Sequence, residues 1–206
     1  MGKIQFSASD LDITKLNKDD EDDLSSFSCG KDDCYNELNA FFQSQELYLS
    51  NKYHYYSVYV VRLKKTSELI AVFTLANDCI VLKSEEDEDD LKEELRPEVA
   101  DEYCKILEKQ TSYPAINIGH LGVKEEYQSC RIGGTLVNII IGSFKNFDKA
   151  GCQFITVDSL NNSRTNKFYS SHNFSILTNS DFSCDTRRMY LLLQCVNKVQ
   201  NDNETV

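Results

Sequence analysis

Four of the eight glycines, Gly119, Gly122, Gly133 and Gly134, fall within sixteen residues. The last three lie in Leu121 to Val137, LGVKEEYQSCRIGGTLV, where a strand pattern passes through a charged turn into small residues and then into an apolar helical pattern. Backbone amides at a helix start have no intrahelical acceptor, and the positive end of the helix dipole lies behind them. With glycine to admit close approach, such a start can hold a phosphate. The segment lacks the Gly-Lys-Ser/Thr of a P-loop and the spacing of GxGxxG. On spacing alone, a tight strand-to-helix turn that holds nothing accounts for these glycines equally well.

Metal chemistry has little support. The eight cysteines (Cys29, Cys34, Cys79, Cys104, Cys130, Cys152, Cys184, Cys195) form no CxxC pair, and His54, His120 and His172 do not cluster with them. A tetrahedral site wants closely spaced ligand pairs, so no metal is expected. The residues after Met1 hold no apolar core of an export signal. The expectation is a cytoplasmic protein, away from membranes, with reduced and mostly buried thiols.

The elements that must position this loop follow from periodicity. Ile4 to Phe6 reads as a short strand, and Asp10 to Leu24 as an acidic helix with a loop. Lys31 to Leu49, with Leu38, Phe41, Phe42, Leu47 and Leu49, reads as one amphipathic helix. His54 to Leu63 and Leu69 to Leu75 form a hairpin of apolar, Tyr- and Val-rich strands. Ser84 to Glu108 carries twelve acidic and three basic residues, with Leu91, Leu95, Val99, Tyr103 and Leu107 at steps of four. That spacing indicates one or two helices with a charged outer face. Ala115 to Val123 is a strand, and Gly133 to Phe147 is a helix with Leu136, Ile140, Phe144 and Phe147 on one face. Cys152 to Val157 is a buried strand. Ser163 is placed to cap a helix running to His172, and Phe174 to Leu177 and Arg188 to Gln194 are the last strands. The class is α+β with a mixed sheet. One domain is expected over 1–206: an N-terminal half to residue 110 with the hairpin and acidic helices, a half from 111 to 196 around the glycine loop, and a polar tail from 197 to 206.

Two stretches then resemble one known family. Tyr127-Gln128-Ser129-Cys130-Arg131-Ile132-Gly133-Gly134 is similar to the acyl-CoA pyrophosphate loop of the GNAT N-acetyltransferase superfamily, bacterial type, whose pattern is Gln/Arg-x-x-Gly-x-Gly/Ala. Gln128 and Gly133 match its outer positions, and Arg131 replaces the inner glycine. Downstream, Asn162 to Phe174 is similar to the family's Asn-x-x-Ala-x-x-Phe-Tyr-x-x-x-Gly-Phe, with Thr165 for Ala and Asn173 for Gly. Asn tolerates the left-handed backbone that ends helices.

The resemblance implies a mixed sheet splayed at its middle and flanked by helices, acetyl-CoA as cosubstrate, and acetyl transfer to a primary amine. It implies that Gln128 and the amides of Ser129, Cys130, Arg131, Ile132, Gly133 and Gly134 hold the pyrophosphate. Backbone groups of Leu121 and Val123, with Asn162, would hold the pantetheine arm. Tyr169 matches the tyrosine that protonates the departing thiolate; a phenol keeps its proton at neutral pH and can give it up as charge builds on sulfur. Where some members carry a Glu on the strand before the loop, this chain reads Ala-Ile-Asn-Ile-Gly-His. His120 is the titratable side chain there and is assigned as base or substrate contact.

The acceptor stays open at this level. The acidic stretch could steer a cationic amine. The run Ile118-Gly-His-Leu-Gly-Val123 is also similar to GNAT toxins that acetylate aminoacyl-tRNA. The net charge of −11 (22 basic against 33 acidic) disfavours a nucleic-acid partner. A non-catalytic acyl-CoA-binding or interaction protein is the alternative from another class, and a homodimer is compatible with the sequence.

Overall fold

The computed structural model describes residues 5–82 and 84–193. The expected polar tail, Cys195 and the first residue of the expected Ile4 to Phe6 strand lie outside the described residues. Seven strands form a mixed sheet in the order β1-β2-β3-β4-β5-β7-β6. The strands are β1 Leu11–Lys15, β2 Ser57–Leu63, β3 Leu69–Ile80, β4 Tyr113–Val123, β5 Phe154–Leu160, β6 Ser175–Ile176 and β7 Thr186–Leu192. The helices are α1 Glu21–Ser25, α2 Asn36–Phe42, α3 Gln45–Lys52, α4 Glu85–Leu95, α5 Asp101–Leu107, α6 Ile132–Lys145 and α7 Ser163–Ser170. The described residues divide into two compact units, one of 5–76 with 118–139 and one of 77–117 with 140–193. The chain of β3, β4 and α6 runs through both.

In the first unit, β1 pairs antiparallel with β2, and β2 with β3. Gln5 and Phe6 form no strand. The first strand is Leu11–Lys15, within the stretch whose acidity predicts a helix. Asn17 ends it, its side chain accepting from Asp19 N and its amide donating to Asp20. The expected single helix over Lys31 to Leu49 is two, because Gln43 and Ser44 turn the chain between α2 and α3. Each buries one apolar position: Phe42 and Leu47 join Leu24, Phe27, Val58, Val60 and Val72 in the core of this unit, with Leu38 and Phe41 partly buried against it and Leu49 exposed.

In the second unit, β7 pairs antiparallel with β5 and β6. The acidic stretch makes two helices broken at Arg96–Glu98, where Pro97 stands. Ser84 caps α4, its hydroxyl accepting from Asp87 N at 3.1 Å, and four carboxylates fill the first turn, where the dipole favours them. Leu91, Leu95 and Leu107 pack with Tyr113, Phe154, Tyr190 and Leu192. The helix expected over Gly133 to Phe147 ends at Lys145, and Phe147 lies beyond it, exposed. Of the seven described cysteines, all free, only Cys29 and Cys130 are buried, so the thiols are less buried than expected.

Candidate functional site

The phosphate-loop candidate lies in the first unit. After β4 the chain makes a short turn over Glu125–Tyr127, and Gln128 leaves it extended. Ser129 and Arg131 both have φ near +64°, with buried Cys130 between them. Left-handed residues at a helix start turn amides outward, as in an anion-binding nest; the Cys130 amide is already donated to Tyr127 O at 3.3 Å. Helix α6 starts immediately after. Thr135 N donates to Arg131 O at 2.9 Å, and the amides of Ile132, Gly133 and Gly134, in the first turn, have no intrahelical acceptor. The backbone at Arg131 explains why the family pattern carries glycine there. A side chain in this conformation costs about 1–2 kcal/mol, and Arg131 accepts that with its side chain exposed.

Gln128 does not offer its amide to solvent. Its Nε2 donates to Cys29 O at 2.5 Å and to Val123 O at 3.1 Å, tying the loop to the chain before α2 and to the end of β4. A second clamp comes from Glu68. It accepts from Lys124 Nζ at 2.7 Å and from Tyr127 Oη at 2.5 Å. The Lys124 and Tyr127 hydrogen bonds hold the Glu68 carboxyl below its ordinary range, and the same bonds raise Lys124 and Tyr127.

On β4, two glycines are fixed by packing. A Cβ on Gly119 would lie 2.6 Å from the Tyr56 ring and 2.9 Å from Thr74 Oγ1; one on Gly122 would lie 2.4 Å from Phe42 and 2.7 Å from Cys29 Sγ. These positions therefore serve the core, and only Gly133 and Gly134 remain for a phosphate. Between the two, His120 stacks on Phe41 (3.9 Å between centroids, 16°) and meets Tyr56 and Phe42 edge-on. Burial lowers its pKa to about 4, so the ring is neutral at pH 7. Leu121 and Val123 follow on the same strand, each partly buried.

The second unit carries the other motif. Asn162, not Ser163, is the N-cap of α7: its Oδ1 accepts from Thr165 N at 2.9 Å. The family asparagine is thus at least a helix cap, which also explains its place three residues before the Ala/Thr position. Tyr169 is buried, with Phe168 at 5.0 Å and Phe174 at 5.4 Å between ring centroids. Burial pushes its phenol well above the ordinary tyrosine value. Among the described residues its hydroxyl makes no hydrogen bond. Asn173 has φ near +64°, the left-handed residue that the family glycine supplies. Elsewhere in this unit Arg188 is held by Asp78 and by Asp158 at 2.7 Å, with Thr156 donating to Asp78. Among the described residues no three His, Cys, Asp or Glu side chains group as a metal site, and no helix is long and apolar enough to cross a membrane.

No protein-family model and no curated relative matches the chain. Solved structures do. A structure of the toxin AtaT complexed with acetyl-methionyl-tRNAfMet is 19% identical, with a TM-score of 0.68, covering 93% of this chain and 99% of its own. The AtaTR complex bound with acetyl-CoA gives 19% and 0.67 over the same shares. A tyrosine-to-phenylalanine variant of the toxin KacT gives 17% and 0.67, covering 92% and 99%. The chain has the GNAT fold.

Within this GNAT fold the two motifs named from sequence form the two predicted local structures, a helix-opening loop and a capped helix bearing Tyr169. One expectation does not hold for the fold: net charge disfavoured nucleic acid, yet AtaT is seen with charged tRNA and, with AtaR, bound to DNA. Net charge is a sum over the whole chain, and here much of it sits on α4 and α5, away in sequence from both motifs. Sequence reasoning missed Thr74, Phe41 and Glu68. The signal for Thr74 was available, since it is the one hydroxyl in the apolar run Leu69 to Leu75. Glu68 sits in a polar turn and gave none.

Proposed function

We propose that this protein is an acetyl-CoA-dependent N-acetyltransferase acting in the cytoplasm on a primary amine, its two units working as one domain, and that the acceptor is the α-amino group of an aminoacyl-tRNA. The observation that carries the reading is the left-handed pair Ser129 and Arg131 opening α6, in a fold shared with acetyl-CoA-bound proteins. Acetyl-CoA supplies an activated acetyl group as a thioester. Amides of Ser129, Arg131, Ile132, Gly133 and Gly134 take its pyrophosphate, with the Cys130 amide held by Tyr127 O and Gln128 fixing the loop that presents them. Backbone groups of Leu121 and Val123 and the free side of Asn162 hold the pantetheine arm. As the amine attacks the acetyl carbonyl, a C–N bond forms and the C–S bond breaks. Tyr169 gives its proton to the departing sulfur, and the proton lost by the amine passes to water.

The acceptor assignment draws on the Ile118 to Val123 run and on the tRNA-bound AtaT neighbour. A second reading, a non-catalytic acyl-CoA-binding protein, is favoured by Arg131 in place of glycine and by the lack of a carboxylate in Ala115 to His120. Transfer from acetyl-CoA to a panel of a polyamine, an aminoglycoside, a lysine peptide and charged tRNA, read as free CoA thiol, decides among them. Thiol release with charged tRNA is expected. Release with the other amines alone overturns the acceptor, and binding without release on any amine leaves the non-catalytic reading.

A further inference from the structure

Thr74 on β3 is fully buried, and its Oγ1 accepts the backbone N–H of His120 at 2.9 Å. The same oxygen lies 3.1 Å from His120 Nδ1. Among the described residues Nδ1 is the one acceptor within reach of the Thr74 hydroxyl proton. A buried hydroxyl left without an acceptor is costly, so the hydroxyl donates to Nδ1. That occupies the Nδ1 lone pair and puts the ring proton on Nε2. Among the described residues Nε2 makes no hydrogen bond. The side chains packed on the ring are Phe41 and Phe42 from α2, Tyr56 before β2 and Thr74 from β3; none is charged, and burial is the cause of the lowered pKa. The arrangement is tight: at Gly119 even a methyl group would collide with both Tyr56 and Thr74.

A ring so held is a poor proton acceptor and a well-placed donor. We infer that His120 donates its Nε2–H to a carbonyl oxygen of bound substrate, and that Thr74 is the positioning residue that fixes the ring tautomer for this task. The inference rests on the acetyltransferase reading and removes His120 as its general base. The carbonyl has two sources, the thioester of acetyl-CoA and the ester beside the amine of an aminoacyl acceptor.

The test is ¹⁵N spectroscopy of the imidazole in the full chain, joined to turnover. In the ligand-free protein His120 should show a protonated Nε2 and a bare Nδ1, unchanged from pH 8 to pH 5.5. Thr74→Ser should keep that signature and Thr74→Val should lose it. Addition of acetyl-CoA alone shifts Nε2–H if the thioester is the partner; a shift only with an α-amino acid methyl ester, and not with the matching alkylamine, identifies the acceptor ester. In turnover, His120→Leu should lose roughly 10²-fold, as for a removed oxyanion donor, while His120→Gln, a donor with no basic lone pair, should lose less than about ten-fold. A protonated Nδ1, a ring that titrates near pH 6.5, a parental tautomer in Thr74→Val, an Nε2–H moved by neither ligand, or equal losses in His120→Gln and His120→Leu would each overturn the inference. Failure of the acetyltransferase reading shows differently, as no CoA release by the parent protein while the tautomer result stands.

Discussion

The loop before α6 and the helix α7 put sequence to opposite uses. In the loop, side chains are spent on the backbone: Gln128 donates to two carbonyls, Glu68 ties down Lys124 and Tyr127, and Ser129 and Arg131 adopt left-handed backbone. What such a loop offers a ligand is main-chain N–H. In α7 the backbone is an ordinary capped helix, and what it offers is a side chain, the Tyr169 phenol held by two aromatic rings. Substitutions in the loop should therefore change stability and cofactor affinity, and substitution of the phenol should change turnover alone.

The largest effect expected is on Tyr169. Tyr169→Phe keeps the ring and its packing, so melting temperature and acetyl-CoA affinity should hold, while kcat falls by about 10²–10⁴-fold, typical of a lost acid. Parental turnover, with stability measured on the same sample, would remove the phenol from the chemistry. Next is Gln128. Gln128→Leu strips donors from the Cys29 and Val123 carbonyls, so denaturant unfolding should show a loss of about 1–3 kcal/mol. Unchanged stability with weakened acetyl-CoA binding would mean that Gln128 acts on the ligand directly.

His120 gives a pH dependence. Its folded pKa, about 4, lies below its ordinary 6.5, so the unfolded chain binds a proton that the folded one refuses. Stability from this group is complete above pH 6.5 and declines as pH falls toward 4, by about 2 kcal/mol at pH 5. Unfolding at pH 7.5 and pH 5 should show that decline in the parent and a smaller one in His120→Phe. The smallest effect is at Arg131. Arg131→Gly relieves left-handed strain and should raise stability by about 1 kcal/mol, whereas Arg131→Ala keeps the strain and should not. Comparing the two for acetyl-CoA affinity isolates the guanidinium: weaker binding in both, by about ten-fold, marks a charge-assisted phosphate contact.

Much of this was legible in the sequence where local chemistry decides the structure. The glycine-rich helix start follows from residue type and spacing, and the Asn173 helix stop from the resemblance of Asn162 to Phe174 to the family motif. The misses arise where distant contacts decide. The short strand Leu11–Lys15 is too polar to announce itself and exists because β2 pairs with it. Gly119 and Gly122 read as part of a phosphate loop, but Tyr56 and Phe42, far away in sequence, are what require them. Ser163 has the right chemistry for a cap, and Asn162, one residue earlier, has the extended backbone that a cap needs. Thr74 acquires its role only when β3 and β4 lie side by side.

The central claim is that main-chain amides between Ser129 and Gly134 hold the pyrophosphate of acetyl-CoA. Calorimetric titration of acetyl-CoA into the parent chain and into Gly133→Glu, with melting curves on both, tests it most directly. The parent should bind and, at about a hundred times its Kd, gain ~2.7 kcal/mol of stability; Gly133→Glu, folded but carrying bulk and negative charge at the loop, should show neither heat nor shift. A parent that gives no heat at millimolar acetyl-CoA, or a folded Gly133→Glu that binds as the parent does, would contradict it.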